Sequence, residues 1–488
     1  MPAATANNQH SLVISLISHT NVGKTTLART LLRRDIGTVA DLAHVTIVPE
    51  AHELISCEAG TAFLWDTPGF GSDLGKLVKR LRSEKNPIGW VLHQVWDRVS
   101  DKSLYCSQEA IRHIAERSDI VIYLVDASQN PSDLPYIATE LEVIKWIGKP
   151  VLVFLNQTGP PEPGRELQRL LAWKQHLAPL PFVRHVSVLD AFTRSWTQEH
   201  LILAYAGEAL GGIKSHLANE LTQAWIARNL AIFEQSVTTL ARFAEASLTD
   251  TEALPVAGFW TKMQQWVMPG KKDPELEKIQ KALYGRLEEY TTAAVNQLIR
   301  LYSIDGASAA ALAKRTKENF LVKHNIDEPL VAIIGGAAGG LLAGIAADAL
   351  AGGMTLGGGA LAGMLLGGSA TFALAKGYNL AQTGKHRVRW TEAHFLDQLK
   401  TIIMLYLAVS HFGRGQGVWH DPKYSPAHWE KIVGEVITQD EHTWRKLWRQ
   451  GGLTPPPTQL RESLQRPLHD ALLGIFTRLY PDSAAIFR

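Results

Sequence analysis

The chain has 488 residues, of which 46% are hydrophobic and 20% are charged, so it is long enough for roughly two or three domains with cores of their own. Its formal net charge of +2 is too balanced for a protein that binds nucleic acid over its whole surface. The two cysteines, Cys57 and Cys106, argue against a disulfide framework and predict a reducing compartment. Residues Met1 to Gln9 lack the basic-then-apolar pattern of a secretory signal, so we expect a cytoplasmic protein.

An apolar run, a short polar loop and a helical pattern follow one another near the start of the chain. The run from Leu12 to Ile17 predicts a buried strand, and the loop from Ser18 to Thr25 reads Ser-His-Thr-Asn-Val-Gly-Lys-Thr. The backbone amides of such a loop bind phosphate oxygens, Lys24 reaches the β- and γ-phosphates, and the Thr25 hydroxyl holds Mg²⁺. The sequence therefore predicts a nucleotide phosphate site formed by Ser18, His19, Thr20, Asn21, Val22, Gly23, Lys24, Thr25 and Thr26.

A second polar motif follows a strand predicted at Thr61 to Trp65. Asp66 stands at the carboxyl end of that strand, where an acid suits Mg²⁺ binding through water, and Gly69 lets a backbone N–H approach the γ-phosphate. Elsewhere Asp-Thr-Pro-Gly is an ordinary turn. Only one more strand, predicted at Val45 to Val48, lies between this motif and the loop, and this spacing favours the nucleotide site.

Further apolar runs predict the rest of a sheet. Ile120 to Val125 and Val151 to Leu155 are expected to be strands, and Phe182 to Val188 is a weaker candidate. Helical patterns lie between them, at Ser107 to Arg117 and at Ala138 to Trp146. Strands that are apolar on both faces and alternate with helices predict a mostly parallel sheet with helices on both faces, the α/β fold of a P-loop NTPase. Ligands of such sheets bind beyond the carboxyl ends of the strands.

Roughly the first 210 residues resemble the Era/TrmE-like branch of the translation-factor-related (TRAFAC class) P-loop GTPases. The family's first motif is similar to Ser18–Thr25, although Ser18 replaces a glycine, and its second is similar to the run from Gly37 to Asp41. Its third motif is matched in full by Asp66-Thr67-Pro68-Gly69. The resemblance implies GTP as substrate, Mg²⁺ as cofactor and hydrolysis as the reaction.

The resemblance also implies roles for single residues. Thr38 is the expected metal-sensing threonine, with Thr46 as an alternative. Phe70 stands where many small GTPases carry a water-orienting glutamine, so slow intrinsic hydrolysis is expected unless a second subunit, a monovalent ion or a partner completes the site. Asn21 is either a K⁺ ligand or a structural loop residue. The expected catalytic residues are Lys24, Thr38, Asp66 and Gly69, and the expected Mg²⁺ ligands are Thr25, Thr38 and Asp66.

The base-recognition motif departs from the family pattern. The family has Asn-Lys-x-Asp after the fifth strand, whereas this chain reads Asn156-Gln157-Thr158-Gly159. Asn156 can still contact the base and brace the loop, but Gly159 lacks the carboxylate that reads guanine, which costs about 1–3 kcal/mol. Guanine against adenine selectivity is therefore left open. The backbone at Ser187 and Val188 is the expected fifth motif.

From Glu208 onward the apolar spacing becomes that of helices. One stripe runs from Leu210 to Phe243, and Asp273 with Pro274 indicates the start of another helix. The chain after residue 377 also reads as helical. We expect four parts: a G domain at 10–207, an α-helical domain at 208–329, a Gly/Ala-rich hydrophobic hairpin at 330–376 and a C-terminal α-helical region at 377–488.

The hairpin is the candidate for membrane contact. Leu330 to Ala347 has no charged residue, and after Asp348 the run from Ala349 to Ala375 is uncharged as well. Each piece approaches the roughly 20 residues that cross a bilayer, and glycines at four-residue spacing let two helices pack closely in lipid. Lysines and arginines flank the tract but are absent from its tip, which predicts both ends on the cytoplasmic side. The alternative is a hairpin buried inside a soluble helical domain.

These features predict a GTP-binding and GTP-hydrolysing switch coupled to a helical region. We expect it in the cytoplasm, peripheral to or inserted at the inner face of the membrane through residues 330–376, with lipid, a second copy of the chain or another protein as its partner. One alternative is a soluble RNA- or ribosome-associated Era-like GTPase, but no Gly-x-x-Gly RNA clamp on a basic module is evident, so nucleic acid is not the expected partner. The other is a module that binds nucleotide without hydrolysing it.

Overall fold

The computed structural model describes residues 10–34, 36, 49–71, 73–94, 102–157, 165–189, 195–253, 274–303, 378–379, 387–411, 427–453, 456–481 and 486–487. These residues divide into two compact units. The first contains the described residues up to Asn229 together with His411, and the second contains those from Leu230 to Ser410 and from residue 427 onward.

The described part of the first unit is built on a six-stranded sheet. Its strands are β1 (Ser11–Ser18), β2 (Glu50–Cys57), β3 (Gly60–Asp66), β4 (Ile120–Asp126), β5 (Val151–Asn156) and β6 (Val183–Val188). The strand order is β2-β3-β1-β4-β5-β6, and all pairs are parallel except β2 with β3. The carboxyl ends of β1, β3, β4, β5 and β6 therefore meet at one edge of the sheet.

Helices cover both faces of this sheet. They are α1 (Lys24–Leu32), α2 (Leu74–Leu81), α3 (Pro87–His93), α4 (Lys102–Arg117), α5 (Pro135–Ile147), α6 (Arg165–Leu177), α7 (Leu201–Ala209) and the start of α8 (Gly212–Thr249). Successive side chains of a strand point to opposite faces of the sheet, so each face has its own core. Ile122 and Leu124 of β4 pack in the core that also contains residues of α1, α7 and α8. Tyr123 and Val125 join the core with α2, α4, α5 and α6. The predicted α/β P-loop fold is confirmed.

The antiparallel edge strand was not predicted. The strand expected at Val45 to Val48 lies outside the described residues, and the strand that pairs with β3 is β2. Polar residues such as Glu50, His52 and Glu53 dominate its first half, and much of that half is exposed. A strand at the sheet edge needs to bury only part of its surface, so it carries a weaker apolar signal than the central strands.

The second unit is mainly helical in its described residues. Its elements are the rest of α8, then β7 (Thr251–Ala253), α9 (Pro274–Leu301), β8 (Tyr378–Asn379), β9 (Arg387–Arg389), α10 (Glu392–Ser410), α11 (Ala427–Gln439), α12 (Glu441–Gly451) and α13 (Leu460–Leu479). The three short strands form a sheet of order β7-β9-β8, which was not predicted. The predicted helix start is confirmed, because α9 begins at Pro274. Fully buried Leu287, Ile402 and Phe476 show that the helical stripes form a core.

The proposed membrane hairpin at 330–376 lies outside the described residues. Among the helices that are described, none combines the length and the apolar character that a membrane span requires.

One buried histidine of the first unit gives its stability a pH dependence. His113 of α4 is 5% exposed, and its Nε2 lies 2.9 Å from the Ser15 hydroxyl on β1. Ser15 also contacts the Ser118 hydroxyl at 2.5 Å. Burial, helped by the nearby Arg117, lowers the pKa of His113 to about 4, because the charged imidazolium is disfavoured away from water. The folded chain therefore keeps His113 neutral where an unfolded chain protonates it.

We predict that the His113→Leu substitution makes the loss of stability in acid shallower. A histidine pKa depressed in the folded state means that its contribution is complete above about pH 6.5 and is lost as the pH falls towards about 4. Over that window the wild type should lose up to about 1.4 kcal/mol more per pH unit than the variant, as measured by urea unfolding at several pH values. Ser118→Ala, which removes a hydroxyl and no titrating group, should leave the slope unchanged. An equal slope for wild type and His113→Leu would contradict the assignment.

Candidate functional site

The loop between β1 and α1 is a tight turn that passes close to the end of β5. Asn21 and Gly23 both have positive φ, 65° and 100°. A Cβ atom at Gly23 would lie 2.7 Å from the Asn156 side-chain nitrogen, so only glycine fits there. Val22 faces the apolar core and is 4% exposed. The loop is therefore closed against the sheet, and α1 begins directly after it at Lys24.

The ammonium group of Lys24 lies inside this loop. Lys24 is 7% exposed, and its Nζ donates to the Ser18 hydroxyl at 3.0 Å and to the His19 carbonyl at 3.4 Å. Burial lowers the pKa of Lys24, while the negative charges of Asp66 and Glu140 oppose that shift. The serine that replaces the usual glycine thus supplies an acceptor for the lysine.

A hydroxyl and a carboxylate face each other beside the loop. Thr25 Oγ1 donates to Asp66 Oδ2 at 2.6 Å, and Asp66 is 3% exposed. The parallel register of β1 and β3 pairs Leu16 with Asp66, which brings the acid to the start of the loop. Hydroxyl and carboxylate oxygens are the hard donors that Mg²⁺ prefers, so this pair fits a magnesium site. Thr38 and its alternative Thr46 lie outside the described residues.

The segment after Asp66 is fixed to the loop by backbone contacts. The Phe70 amide donates to the Ser18 carbonyl at 3.0 Å, and Thr67 donates its hydroxyl to the Leu16 carbonyl. A Cβ atom at Gly69 would lie 2.9 Å from Lys24 Nζ and 3.2 Å from the Thr20 Cα, so the backbone passes close to the lysine. Phe70 itself is fully buried in the core, and its ring is part of the protein interior.

Asn156 and Gln157 brace the loop from the end of β5. Asn156 is fully buried, and its side-chain nitrogen donates to the Val22 carbonyl at 2.7 Å. Gln157 has a φ of 56° and donates its side-chain amide to the Asn21 carbonyl at 3.3 Å. The glutamine that replaces the family's lysine therefore still contacts the loop, without adding a charge. Gly159, on which guanine selectivity depends, lies outside the described residues.

Three further residues predicted for the site lie on β6 and α1. Ser187 and Val188 end β6, where they pair with Phe154 and Leu155 of β5, next to Asn156. Thr26 is buried on α1 and is 5% exposed. The sheet thus brings the ends of β1, β3, β5 and β6 together, as their motifs require.

Sequence reasoning missed a polar cluster beneath the loop. His19 Nδ1 lies 2.7 Å from Glu140 Oε1, and Tyr123 donates its hydroxyl to Glu140 Oε2 at 2.7 Å. The His19 ring also stacks on Tyr136, with ring centroids 4.1 Å apart. The signal that was available is Glu140 itself, an acid on the otherwise apolar inner face of α5.

Two family models match the chain. Residues 13–157 match the family described as 50S ribosome-binding GTPase, and residues 209–470 match the family described as Domain of unknown function (DUF3482). No curated protein gave a significant match.

Solved structures of GTPases are similar to part of the chain. A variant of Aquifex aeolicus Era bound to GDP.AlF4- is 17% identical with a TM-score of 0.30, and the match covers 42% of this chain and 58% of Era. An S. thermophilus NFeoB mutant bound to GMPPNP is 15% identical with a TM-score of 0.27, and the match covers 60% of this chain and 96% of that protein. A probable GTP-binding protein engB is 17% identical with a TM-score of 0.24, covering 36% and 88%. The chain thus spans less than two thirds of the length of Era.

The N-terminal match and the loop geometry identify a P-loop GTPase domain in the first unit. The second match extends over more than half of the chain. The chain therefore belongs to the DUF3482 family, in which this member carries a P-loop GTPase domain ahead of the helical region that defines the family.

Proposed function

We propose that this protein is a Mg²⁺-dependent GTPase of the Era/TrmE-like type whose nucleotide state controls a membrane-associating helical region. The observation that carries the proposal is the buried ammonium of Lys24, held by Ser18 and His19 beside the Thr25–Asp66 pair. A buried ammonium group at a helix N-terminus, beside a loop whose backbone amides can donate, is suited to a polyanionic ligand.

Each residue then has a defined part in phosphoryl transfer. Lys24 neutralises charge that develops on the β- and γ-phosphates, and the amides of the loop and of Gly69 donate to phosphate oxygens. Thr25 and Asp66, with Thr38 as the proposed third ligand, would hold Mg²⁺, which supplies charge neutralisation when it is bound. Positioning and electrostatics carry most of this chemistry, so no covalent step on the protein is needed.

Among the described residues of the site, we identify no side chain that could orient the attacking water. Phe70 is fully buried and presents no polar group to a water molecule. We therefore propose that intrinsic hydrolysis is slow and that K⁺ bound at Asn21, a second subunit or another protein completes the site. Comparing phosphate release in KCl and in NaCl decides whether Asn21 serves a cation or only shapes the loop.

Membrane association is proposed from the sequence of residues 330–376. Two uncharged apolar runs, glycines at four-residue spacing and flanking basic residues support insertion at the inner face of the cytoplasmic membrane. The G domain would then control how the helical region meets lipid, and the nucleotide would be the switch.

We predict that Lys24→Ala lowers the rate of phosphate release from GTP about 100-fold or more, because it removes the buried ammonium group that Ser18 and His19 hold beside the Thr25–Asp66 pair. The matched control is Lys145→Ala, which removes an exposed lysine of α5. It should keep the wild-type rate. Equal rates for Lys24→Ala and wild type would contradict the proposed role, and nucleotide binding without any phosphate release would select a binding module.

A second prediction compares two glycines. Gly69→Ala should lower the affinity for a fluorescent GTP analogue at least about tenfold, because the added methyl group would meet Lys24 and displace a binding group. Gly75→Ala should change it less than about twofold, since nothing lies within 4 Å of a Cβ atom there and the site is in α2. Equal affinities for the two variants would show that the segment after Asp66 does not approach the nucleotide.

The third prediction concerns lipid. In the presence of a non-hydrolysable GTP analogue, the wild type should float with liposomes of anionic lipid, and a variant lacking residues 330–376 should not. Lys24→Ala should float equally with and without nucleotide. Failure of the wild type to float, together with salt-sensitive binding to RNA, would favour a soluble ribosome-associated GTPase instead.

A further inference from the structure

A buried acid lies under the phosphate-binding loop and takes no part in the chemistry proposed above. Glu140 of α5 is 1% exposed, and its neighbours on the inner face of that helix, Ile137, Leu141 and Ile144, are apolar core residues. A leucine would fill such a position without removing a charge from water. The presence of a carboxylate therefore calls for a specific partner.

Both oxygens of Glu140 have such partners. Oε1 lies 2.7 Å from Nδ1 of His19 in the loop, and Oε2 accepts a hydrogen bond from the hydroxyl of Tyr123 on β4 at 2.7 Å. The Tyr123 ring is fully buried in the core. The acid thus joins β4, a central strand of the sheet, to His19 of the loop.

The electrostatics argue against a direct role in attracting phosphate. Burial raises the pKa of Glu140, opposed by the contacts with His19 and Tyr123 and by the charge of Lys24. A negative charge so close to Lys24 would weaken the attraction for a polyphosphate. Any benefit that Glu140 brings to binding must therefore come from the geometry that it fixes.

His19 is the residue through which that geometry reaches the site. Its ring is held by Glu140 and stacks on Tyr136, while its carbonyl accepts a hydrogen bond from Lys24 Nζ. Its backbone also forms a parallel bridge with Phe70, at the end of the third motif. Fixing the His19 ring therefore fixes one acceptor of the lysine and the contact between the loop and the segment after Asp66.

We propose that Glu140, supported by Tyr123, is a positioning residue that anchors His19 and holds the phosphate-binding loop in its binding conformation before the nucleotide arrives. Because less of the loop has to be ordered on binding, the affinity for the triphosphate rises. This proposal rests on the proposed function, since it requires that the loop bind nucleotide.

The test compares variants that break the anchor with variants that keep it. Glu140→Leu removes both hydrogen bonds and should weaken binding of GMPPNP, measured by calorimetry, about tenfold. Glu140→Gln keeps an acceptor for His19 and should restore the affinity to within about threefold of wild type. Tyr123→Phe should fall between them. His19→Phe keeps a ring that can stack on Tyr136 but loses the contact with Glu140. It breaks the same contact from the loop side and should also weaken binding about tenfold.

A purely structural role predicts a different pattern. His113→Leu is the matched control, because it removes a buried side chain whose partner, Ser15, lies on β1, the strand that leads into the loop, but not in the loop itself. It should lower the urea midpoint and leave the GMPPNP affinity within about twofold. If Glu140→Leu likewise loses stability but binds within twofold of wild type, the positioning role is overturned. If Glu140→Gln is as weak as Glu140→Leu, the charge and not the hydrogen bond matters, which also overturns it.

A double-variant cycle covers the case in which Glu140→Leu alone folds poorly. If Tyr123 and Glu140 act on the loop through His19, Tyr123→Phe and His19→Phe together should weaken binding no more than His19→Phe alone. Fully additive losses would contradict the anchor. Binding by the wild type distinguishes a failure of this proposal from a failure of the proposed function. If the wild type does not bind GMPPNP, both are overturned. If the wild type binds GMPPNP and the variants bind it equally well, only this proposal is overturned.

Discussion

The charge of Lys24, held out of water at the end of the phosphate-binding loop, is the constraint on which the first unit's site depends. A buried ammonium group is stable only when acceptors surround it, and here Ser18 and His19 supply them while Asp66 lies close enough to influence its pKa. The carboxylate of Asp66 lies there because β1 and β3 run parallel in a register that pairs Leu16 with Asp66. The pairing of these two strands thus brings the acid to the loop.

The loop is held by several elements, and each contact enters from the carboxyl end of a strand or from a helix beside it. Asn156 and Gln157 bind its carbonyls from the end of β5, the Phe70 amide binds Ser18 from the end of β3, and Glu140 reaches it from α5. A loop fixed in this way needs little reorganisation to receive a ligand, which is the condition for electrostatic stabilisation of a phosphoryl-transfer transition state. The site is therefore a property of the sheet edge as a whole.

The sequence predicted the elements whose signals are local. An apolar run before a glycine-containing loop gave β1 and the start of α1, and the spacing after Asp273 gave α9. The edge strand β2 was missed because only part of it is buried, and the strands β7 to β9 were missed because they span two or three residues each. Glu140 was missed for a different reason: its partners His19 and Tyr123 lie 121 and 17 positions away along the chain, so only the fold shows that they meet.

Titration calorimetry of the wild-type chain with GTP and with ATP, each in the presence of Mg²⁺, tests the central claim most directly. The geometry of Lys24, Thr25 and Asp66 predicts one triphosphate bound per chain, and heat with GTP that disappears when Mg²⁺ is removed by a chelator. The comparison with ATP also measures how far the glutamine at position 157 and the glycine at position 159 relax selectivity for the base. If neither GTP nor ATP gives binding heat, the claim that Lys24, Thr25 and Asp66 form a nucleotide site is contradicted.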